Sequence, residues 1–305
     1  MNESIKKYFR VGLVQFMAYP AGLRGEDPDI VNRIKQIACD DYFDAIEVNW
    51  IKDDKKREDV RKILESSHMT VCYGAQPRLL TTGLNANHLD EAERKKAEST
   101  LIEAIDEAHF LGAKGIAFLS GKWEEATKEE SYSQLLKTTR NLCDYAKNKQ
   151  MMVELEVFDY DIAKASLIGP APYAARFAAD IRTTHSNFGL LIDLSHIPMT
   201  YETPEFVVRT LRPYITHLHV GNTVCSNSDD IGYGDEHQRF GFPGGSNDVP
   251  EVQNFLQVLK NEGFFNAENP LVLSFEVKPW QDEDSDVVIA NAKRTLNRAW
   301  ALLEN

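Results

Sequence analysis

The sequence predicts a single (β/α)8 barrel spanning residues 1–305. Short β-rich runs alternate with longer amphipathic segments along the whole chain, which is typical of parallel strands joined by right-handed helical crossovers. The alternation gives eight units, and a chain of 305 residues suits a closed eight-unit barrel. The segment at 15–20, after the first predicted strand, has no glycine-rich turn. That disfavours an open nucleotide-binding sheet, and we expect no nucleotide cofactor.

Each predicted strand is a short run rich in β-branched and other apolar residues. In chain order the predicted strands are Val11–Phe16, Ala45–Asn49, Thr70–Ala75, Gly115–Leu119, Met152–Val157, Gly189–Asp193, Ile215–Val220 and Leu271–Val277. Eight such strands, closed on themselves, form a TIM barrel whose C-terminal rim is the place where active sites are built.

The segments between the strands carry apolar residues at every third or fourth position, which places them on one face of a helix. The clearest stripes are Ala97, Leu101, Ile105, Ala108 and Leu111, and later Val288, Ala292, Leu296, Ala299 and Leu303. A capping side chain before proline predicts helix starts at Asp27-Pro28 and Thr203-Pro204, and Gly112 and Gly263 predict helix ends.

One connection is longer than a compact barrel needs. It runs from about 221 to 249, after the seventh strand, and contains His237 and Arg239. Long loops in compact domains are usually functional, and this one lies on the predicted C-terminal rim. We therefore expect the rim loop to contribute to the site.

The net charge, the cysteine spacing and the apolar runs indicate which kinds of partner and which compartment to expect. A net charge of −13 disfavours a nucleic-acid surface. The four widely spaced cysteines indicate free thiols in a reducing compartment. The charged N-terminal segment does not resemble a secretory signal, and no run is apolar enough to span a bilayer. We expect a cytoplasmic protein without membrane contact.

Four strand-like segments in the second half of the chain each carry a metal-type ligand near their C-terminal end. The ligands are Glu156, Asp193, His219 and Glu276. A charge in an apolar run is costly unless something compensates it, and a barrel brings the ends of strands five to eight together. Three carboxylates and one imidazole suit a hard or borderline divalent cation, with Mn2+ favoured and Mg2+, Co2+ or Zn2+ as alternatives.

Alternation along the strands leaves two choices open. Glu154 lies on the same strand face as Glu156, and His217 lies on the same face as His219. In both cases we favour the later residue, because it is nearer the C-terminal rim. His196, three residues after Asp193, reaches the same cleft as a ligand or a substrate contact.

Other rim residues are candidates for contacts with a substrate. They are His237, Arg239, Lys278, Glu47, Gln76 and Arg78. Each also has a structural interpretation, since rim lysines are commonly solvated and single strand glutamates are commonly paired in salt bridges.

The order of these motifs resembles that of the xylose-isomerase-like barrels of sugar isomerases and epimerases. The resemblance covers essentially the whole chain and implies the same four ligands, with the histidine of the DxxH motif, His196, contacting substrate. One departure is Asn222, where the epimerase branch often has an acidic residue. The implied chemistry removes a proton next to a sugar carbonyl, with Glu156, Glu276 or His196 as the base.

The phrases VGLVQFMAYP, CYGAQPRLL, VELEVFDYD and GYGDEHQRFGFPGG are also similar to the catalytic α subunits of C-glycoside deglycosidases. That resemblance implies a carbon–carbon lyase that releases the aglycone from 3-oxo-C-glycosides and works with a smaller β subunit in a hetero-oligomer. The alternatives are a keto-sugar epimerase or isomerase and a non-catalytic sugar-binding barrel. The acidic balance disfavours the DNA-repair endonucleases that share this fold.

Overall fold

Eight parallel strands form one sheet in the computed structural model, which describes residues 1 and 3–304. The strands are β1 (Phe9–Leu13), β2 (Ala45–Val48), β3 (Thr70–Gly74), β4 (Gly115–Leu119), β5 (Met152–Glu156), β6 (Phe188–Asp193), β7 (Ile215–Gly221) and β8 (Leu271–Glu276). Neighbours in the sheet are neighbours in sequence, and β1 pairs with β8, so the sheet curls into a ring.

The ring closes between β1 and β2 through fewer backbone contacts than elsewhere. Asp44 N donates to Val11 O at 2.8 Å, and Val14 forms an isolated parallel bridge with Glu47. The predicted TIM barrel is thereby confirmed.

Ten α-helices surround the sheet in the part of the chain that the structure describes. They are α1 (Gln15–Ala18), α2 (Ile30–Ala38), α3 (Asp54–Ser67), α4 (Gln76–Leu80), α5 (Glu91–Phe110), α6 (Lys128–Lys147), α7 (Ala171–Arg182), α8 (Pro204–Leu211), α9 (Val249–Asn261) and α10 (Ser285–Ala301). Both predicted apolar stripes, on α5 and α10, are buried. The apolar core therefore lies between the strands and the helices, where Phe275 packs edge-on against Phe43.

Most predicted boundaries fall within one residue of the observed ones. Thr203 caps α8 by accepting from Phe206 N, and Gly112 and Gly263 follow helix ends with positive φ. Two predictions were wrong. The first strand ends at Leu13, because Gln15 already begins a short helix, and the helix expected at Asp27-Pro28 begins at Ile30. Asp27 instead accepts from Asp29 N, which forms a turn before the helix.

The rim loop lies between β7 and α9 and is held by its own polar side chains. Asn222 Nδ2 donates to Arg239 O at 3.0 Å, and Asn222 Oδ1 accepts from Asn247 N at 2.8 Å. Asn247 Nδ2 donates to Gly221 O at 3.0 Å, which ties the end of the loop to the end of β7. Asn222, the departure noted in the sequence, therefore stabilises the fold of the rim loop.

Among the described residues, no helix combines the length and the apolar character needed to cross a membrane.

Candidate metal centre

The structure brings together the four side chains that the sequence proposed as ligands. Glu156, Asp193 and Glu276 are the last residues of β5, β6 and β8, and His219 lies two residues before the end of β7. The strand register pairs Asp193 with His219, so these side chains leave the sheet at one level. One ligand atom from each of the four residues lies within 4.8 Å of the others, and all four are buried.

The donor set fits a divalent cation. His219 Nδ1 lies 2.6 Å from Glu276 Oε2 and 3.8 Å from Glu156 Oε1. Glu156 Oε1 and Asp193 Oδ2 are buried without a hydrogen-bond partner among residues 1 and 3–304. Buried carboxylate oxygens without donors are costly, and a cation held between them would satisfy both. These four groups could hold a metal ion.

A second layer of charge lies beside the ligands. His196 Nε2 is 3.4 Å from Glu156 Oε1, and His237 Nδ1 is 3.7 Å from Asp193 Oδ2. Both rings also approach Asp235 Oδ1, His237 at 2.7 Å and His196 at 3.6 Å. Asp235 in turn pairs with Lys164 Nζ at 2.7 Å. His237 has a φ of 50°, a strained value for a non-glycine residue, of the kind that clusters at functional sites.

Burial and the charges around this layer shift the pKa values of its two histidines and of two of the candidate ligands. Burial favours the neutral rings, but Asp235 and Glu156 outweigh it and raise the pKa of His196 to about 9. For His237, burial is likewise outweighed by Glu276 and Asp235, and its pKa rises to about 10. Burial raises the pKa of Glu276 above its ordinary value. For Asp193, burial is opposed by His196 and His237, and its pKa falls below the ordinary range.

The other residues predicted to contact a substrate differ in whether they touch a candidate ligand of this centre. Gln76 Nε2 donates to Glu156 Oε2 at 2.7 Å, so Gln76 belongs to the site. Arg78 instead pairs with Glu107 and with the Tyr73 hydroxyl.

Two further predicted contacts pair with acidic residues outside the ligand set. Arg239 Nε lies 2.8 Å from Glu283 Oε1, and Lys278 pairs with Glu236 of the rim loop. Neither pairing includes a ligand of the centre.

Glu154 and His217, the two residues that were not favoured as ligands, lie with Glu47 in a separate buried layer below the ligands. Glu47 Oε1 lies 2.9 Å from His217 Nε2 and 2.9 Å from His219 Nε2. His217 Nδ1 lies 3.1 Å from Glu154 Oε2. Burial opposes the charge of Glu47, but the two histidines hold the pKa of that carboxyl well below its usual range.

Asp235 and Lys164 were missed by the sequence reasoning. Asp235 lies two residues before His237, in the rim loop that was already expected to be functional, and that proximity was the available signal. Lys164 offered none, because its place depends on the loop after β5. There Asp159 accepts from the backbone amides of Ile162, Ala163 and Lys164 and so builds the turn that delivers the lysine.

The four candidate ligands are little exposed to solvent in this conformation, with exposed fractions between 1% and 8%. The loop after β5 and the rim loop both contribute side chains above the centre.

Comparison with known proteins supports this description of the fold. Three similar solved structures are a D-psicose 3-epimerase from Clostridium cellulolyticum H10 with D-tagatose, the 3-keto-D-glucoside 4-epimerase YcjR from E. coli, and the IolI protein with a binding zinc atom. Their TM-scores are 0.70, 0.68 and 0.72 at 16%, 13% and 15% identity. The matches cover 97%, 95% and 97% of this chain and 100%, 99% and 100% of the other chains. At these identities the likeness is one of fold.

No curated protein sequence matches the chain. The family model described as the xylose isomerase-like TIM barrel matches residues 37–292, most of the strands and helices described above and all four candidate ligands. The chain is therefore a member of the xylose isomerase-like TIM barrel family.

Proposed function

We propose that this protein is a divalent-metal-dependent sugar isomerase or epimerase that moves a proton at a carbon next to a sugar carbonyl. The observation that carries the proposal is the convergence of Glu156, Asp193, His219 and Glu276 within 4.8 Å at the C-terminal rim. Carboxylate-rich sites with one imidazole suit Mn2+, Mg2+, Co2+ or Zn2+, and we favour Mn2+.

The relatives support the substrate class. Two of the similar structures are named as epimerases of a ketose and of a 3-keto-glucoside, and a third is named with zinc. The two epimerase activities and the bound zinc agree with a site that binds a sugar carbonyl and a cation.

The chemistry divides between the cation and the chain. When bound by the four ligands, a divalent ion would act as a Lewis acid that stabilises negative charge on a sugar oxygen. Proton transfer belongs to the side chains. Glu156 is a candidate for it, because Gln76 Nε2 donates to its Oε2 at 2.7 Å and fixes the carboxylate at the rim. Glu276, whose Oε2 lies 2.6 Å from the His219 Nδ1 that Glu156 Oε1 approaches at 3.8 Å, is the candidate for returning the proton on the opposite face of the sugar.

His196 provides a further proton-bearing group. Its Nε2 faces Glu156 Oε1 at 3.4 Å, its Nδ1 faces Asp235 at 3.6 Å, and the Phe158 ring packs on it with centroids 4.3 Å apart. A ring fixed on three sides can orient a sugar hydroxyl and exchange its proton during the reaction.

The carbon–carbon lyase acting on 3-oxo-C-glycosides is the second candidate. The first step is shared, since an adjacent C–H must lose its proton in both reactions. The observation that favours the lyase is the additional acid layer of His196, His237 and Asp235, because an expelled aglycone carbon has to be protonated. This candidate also expects a smaller partner subunit.

The reactions are separated by one set of incubations. Metal-stripped protein is reloaded with Mn2+ and incubated in D2O with free ketoses, with 3-keto-glucosides and with a 3-oxo-C-glucoside. Deuterium beside the carbonyl with a new epimer supports the isomerase or epimerase, and free aglycone supports the lyase. Asp193→Asn should abolish either reaction, whereas Asp54→Asn, at a side chain 89% exposed, should not.

A third outcome would overturn the catalytic proposal. If the loaded protein neither exchanges deuterium nor releases aglycone, but still binds a sugar after the metal is removed, the chain is a sugar-binding barrel rather than an enzyme of this class.

A further inference from the structure

The ring nitrogens of His219 have different neighbours. Nδ1 faces the candidate ligands Glu276 and Glu156, at 2.6 and 3.8 Å. Nε2 faces away from them, toward Glu47 Oε1 at 2.9 Å. Glu47 lies on β2, on the far side of the barrel interior, and is 1% exposed.

The contact fixes which atoms carry hydrogens. An ionised carboxylate only accepts hydrogen bonds, so the His219 Nε2–H must donate to Glu47. His217 Nε2 approaches the same Glu47 oxygen at 2.9 Å and must also donate. Without a metal, Nδ1 donates to Glu276 Oε2 at 2.6 Å by the same reasoning. A cation held by the cluster would replace that Nδ1 hydrogen, and the Nε2–H bond to Glu47 would leave the Nδ1 lone pair facing the ion, as a metal-binding imidazole requires.

A second cation between Glu47, His217 and His219 is the competing interpretation of this layer, because these three groups also converge. That ion would need the lone pair of His219 Nε2, while the upper centre needs the lone pair of Nδ1. One neutral imidazole has a single lone pair, so it serves one ion only. The hydrogen-bond interpretation satisfies both nitrogens.

The layer continues to the next strand. His217 Nδ1 meets Glu154 Oε2 at 3.1 Å, and Glu154 Oε1 accepts from the Thr216 hydroxyl at 2.7 Å. His217 and Glu154 thereby hold Glu47 from below.

We propose that Glu47 is a positioning residue that holds His219 in the Nε2–H tautomer and aims its Nδ1 at the metal. The inference rests on the proposed function only in that it requires the metal centre, not a particular sugar. Partners of this kind, which orient a ligand without touching the ion, typically contribute 10–100-fold in metal affinity.

Two substitutions test the role at different strengths. Glu47→Leu removes the acceptor, and we expect the dissociation constant for Zn2+ to rise by about 100-fold. Glu47→Gln keeps an acceptor oxygen but loses the charge, and we expect a rise of about tenfold. The matched control is Glu107→Gln, at a poorly exposed glutamate that pairs with Arg78 and belongs to neither buried layer. Its Zn2+ affinity should equal that of the unsubstituted protein.

Calorimetry with zinc chloride alone supplies the affinities, and 15N NMR of histidine-labelled protein supplies the tautomer. We expect the ring whose Nδ1 shifts on Zn2+ binding to keep its Nε2–H in the unsubstituted protein and in the Glu47→Gln variant. The Glu47→Leu variant should lose that preference. Unchanged affinity and an unchanged tautomer in both variants would overturn the inference.

Two further outcomes keep the test decisive. If the leucine variant does not fold, the glutamine variant decides: a tenfold loss supports the role, and an unchanged constant refutes it. Failure of the unsubstituted protein to bind Zn2+ or Mn2+ would instead refute the metal centre itself.

Discussion

Lys164 Nζ lies 2.7 Å from Asp235 Oδ2 and joins the loop after β5 to the rim loop above the candidate metal centre. Asp235 is nearly inaccessible, with 2% of its side chain exposed, and it also supports His196 and His237. The ion pair therefore links the segment that covers the centre to two of the rings that line it.

Breaking this ion pair should loosen both loops. Lys164→Met leaves Asp235 with only its histidine partners, and we expect stability to fall by about 1–3 kcal/mol, less than for a fully buried pair that loses every partner. Hydrogen exchange should quicken at 159–168 and 230–238. Lys52→Met removes an exposed pair of the same length, with Glu26, and should cost less than about 1 kcal/mol. Equal effects of the two substitutions would contradict the role of Lys164.

Removing one ligand should empty the centre. Asp193→Ala deletes a carboxylate oxygen that is buried and lacks a hydrogen-bond partner among the described residues. We expect bound Mn2+ to fall by more than about 100-fold, beyond what outer partners contribute. Elemental analysis after dialysis measures the loss. Full occupancy together with full turnover in this variant would show that the four side chains do not form the metal site.

Metal binding should also stabilise the fold. A cation at 100 times its dissociation constant adds about 2.7 kcal/mol when it binds only the folded state. Thermal unfolding of stripped protein with and without added Mn2+ measures this, and Asp193→Ala should show no upward shift. A shift of equal size in the variant would place the bound ion elsewhere.

Gln76 should matter through Glu156. Gln76→Leu removes the donor to Glu156 Oε2 and leaves a buried oxygen unpaired, which typically costs about 1–3 kcal/mol. We expect a fall in kcat of about tenfold or more, because Glu156 would no longer be held in place. Gln257→Leu, which removes an exposed bond to Asn261, should leave kcat unchanged. Comparable losses in the two variants would mean that the substitution acts on the fold and not on Glu156.

The metal-free protein should lose stability as the pH rises above neutrality. Burial works against the charge of His217, but Glu47 and Glu154 raise its pKa to about 9. A raised folded-state pKa stabilises fully below the unfolded value, about 6.5, and the gain disappears as the pH climbs toward 9. Unfolding of stripped protein from about pH 6.5 to about 9.5 should show a declining free energy, and His217→Phe should flatten that decline. A slope unaffected by the substitution would assign the effect to other groups.

Local patterns in the sequence were enough to predict the barrel and to select the four candidate ligands. Strand and helix periodicities are properties of adjacent residues, and a ligand at the end of a strand reaches the rim of any closed parallel barrel. The choice of Glu156 and His219 over Glu154 and His217 followed from position along the strand, and the structure brings the later pair together with Asp193 and Glu276 in a cluster that could hold a metal ion.

Tertiary structure alone decided what surrounds those ligands. Glu47 and His219 are 172 residues apart, and Lys164 and Asp235 come from two different loops, so their contacts depend on ring closure and loop paths that no local pattern contains. Arg78 had the same rim position as Gln76 in sequence, yet it turned to Glu107 because the short helix α4 directs residues two apart to different sides. The order of residues along each strand determined which side chains could reach the rim, and tertiary packing determined which of them contact one another.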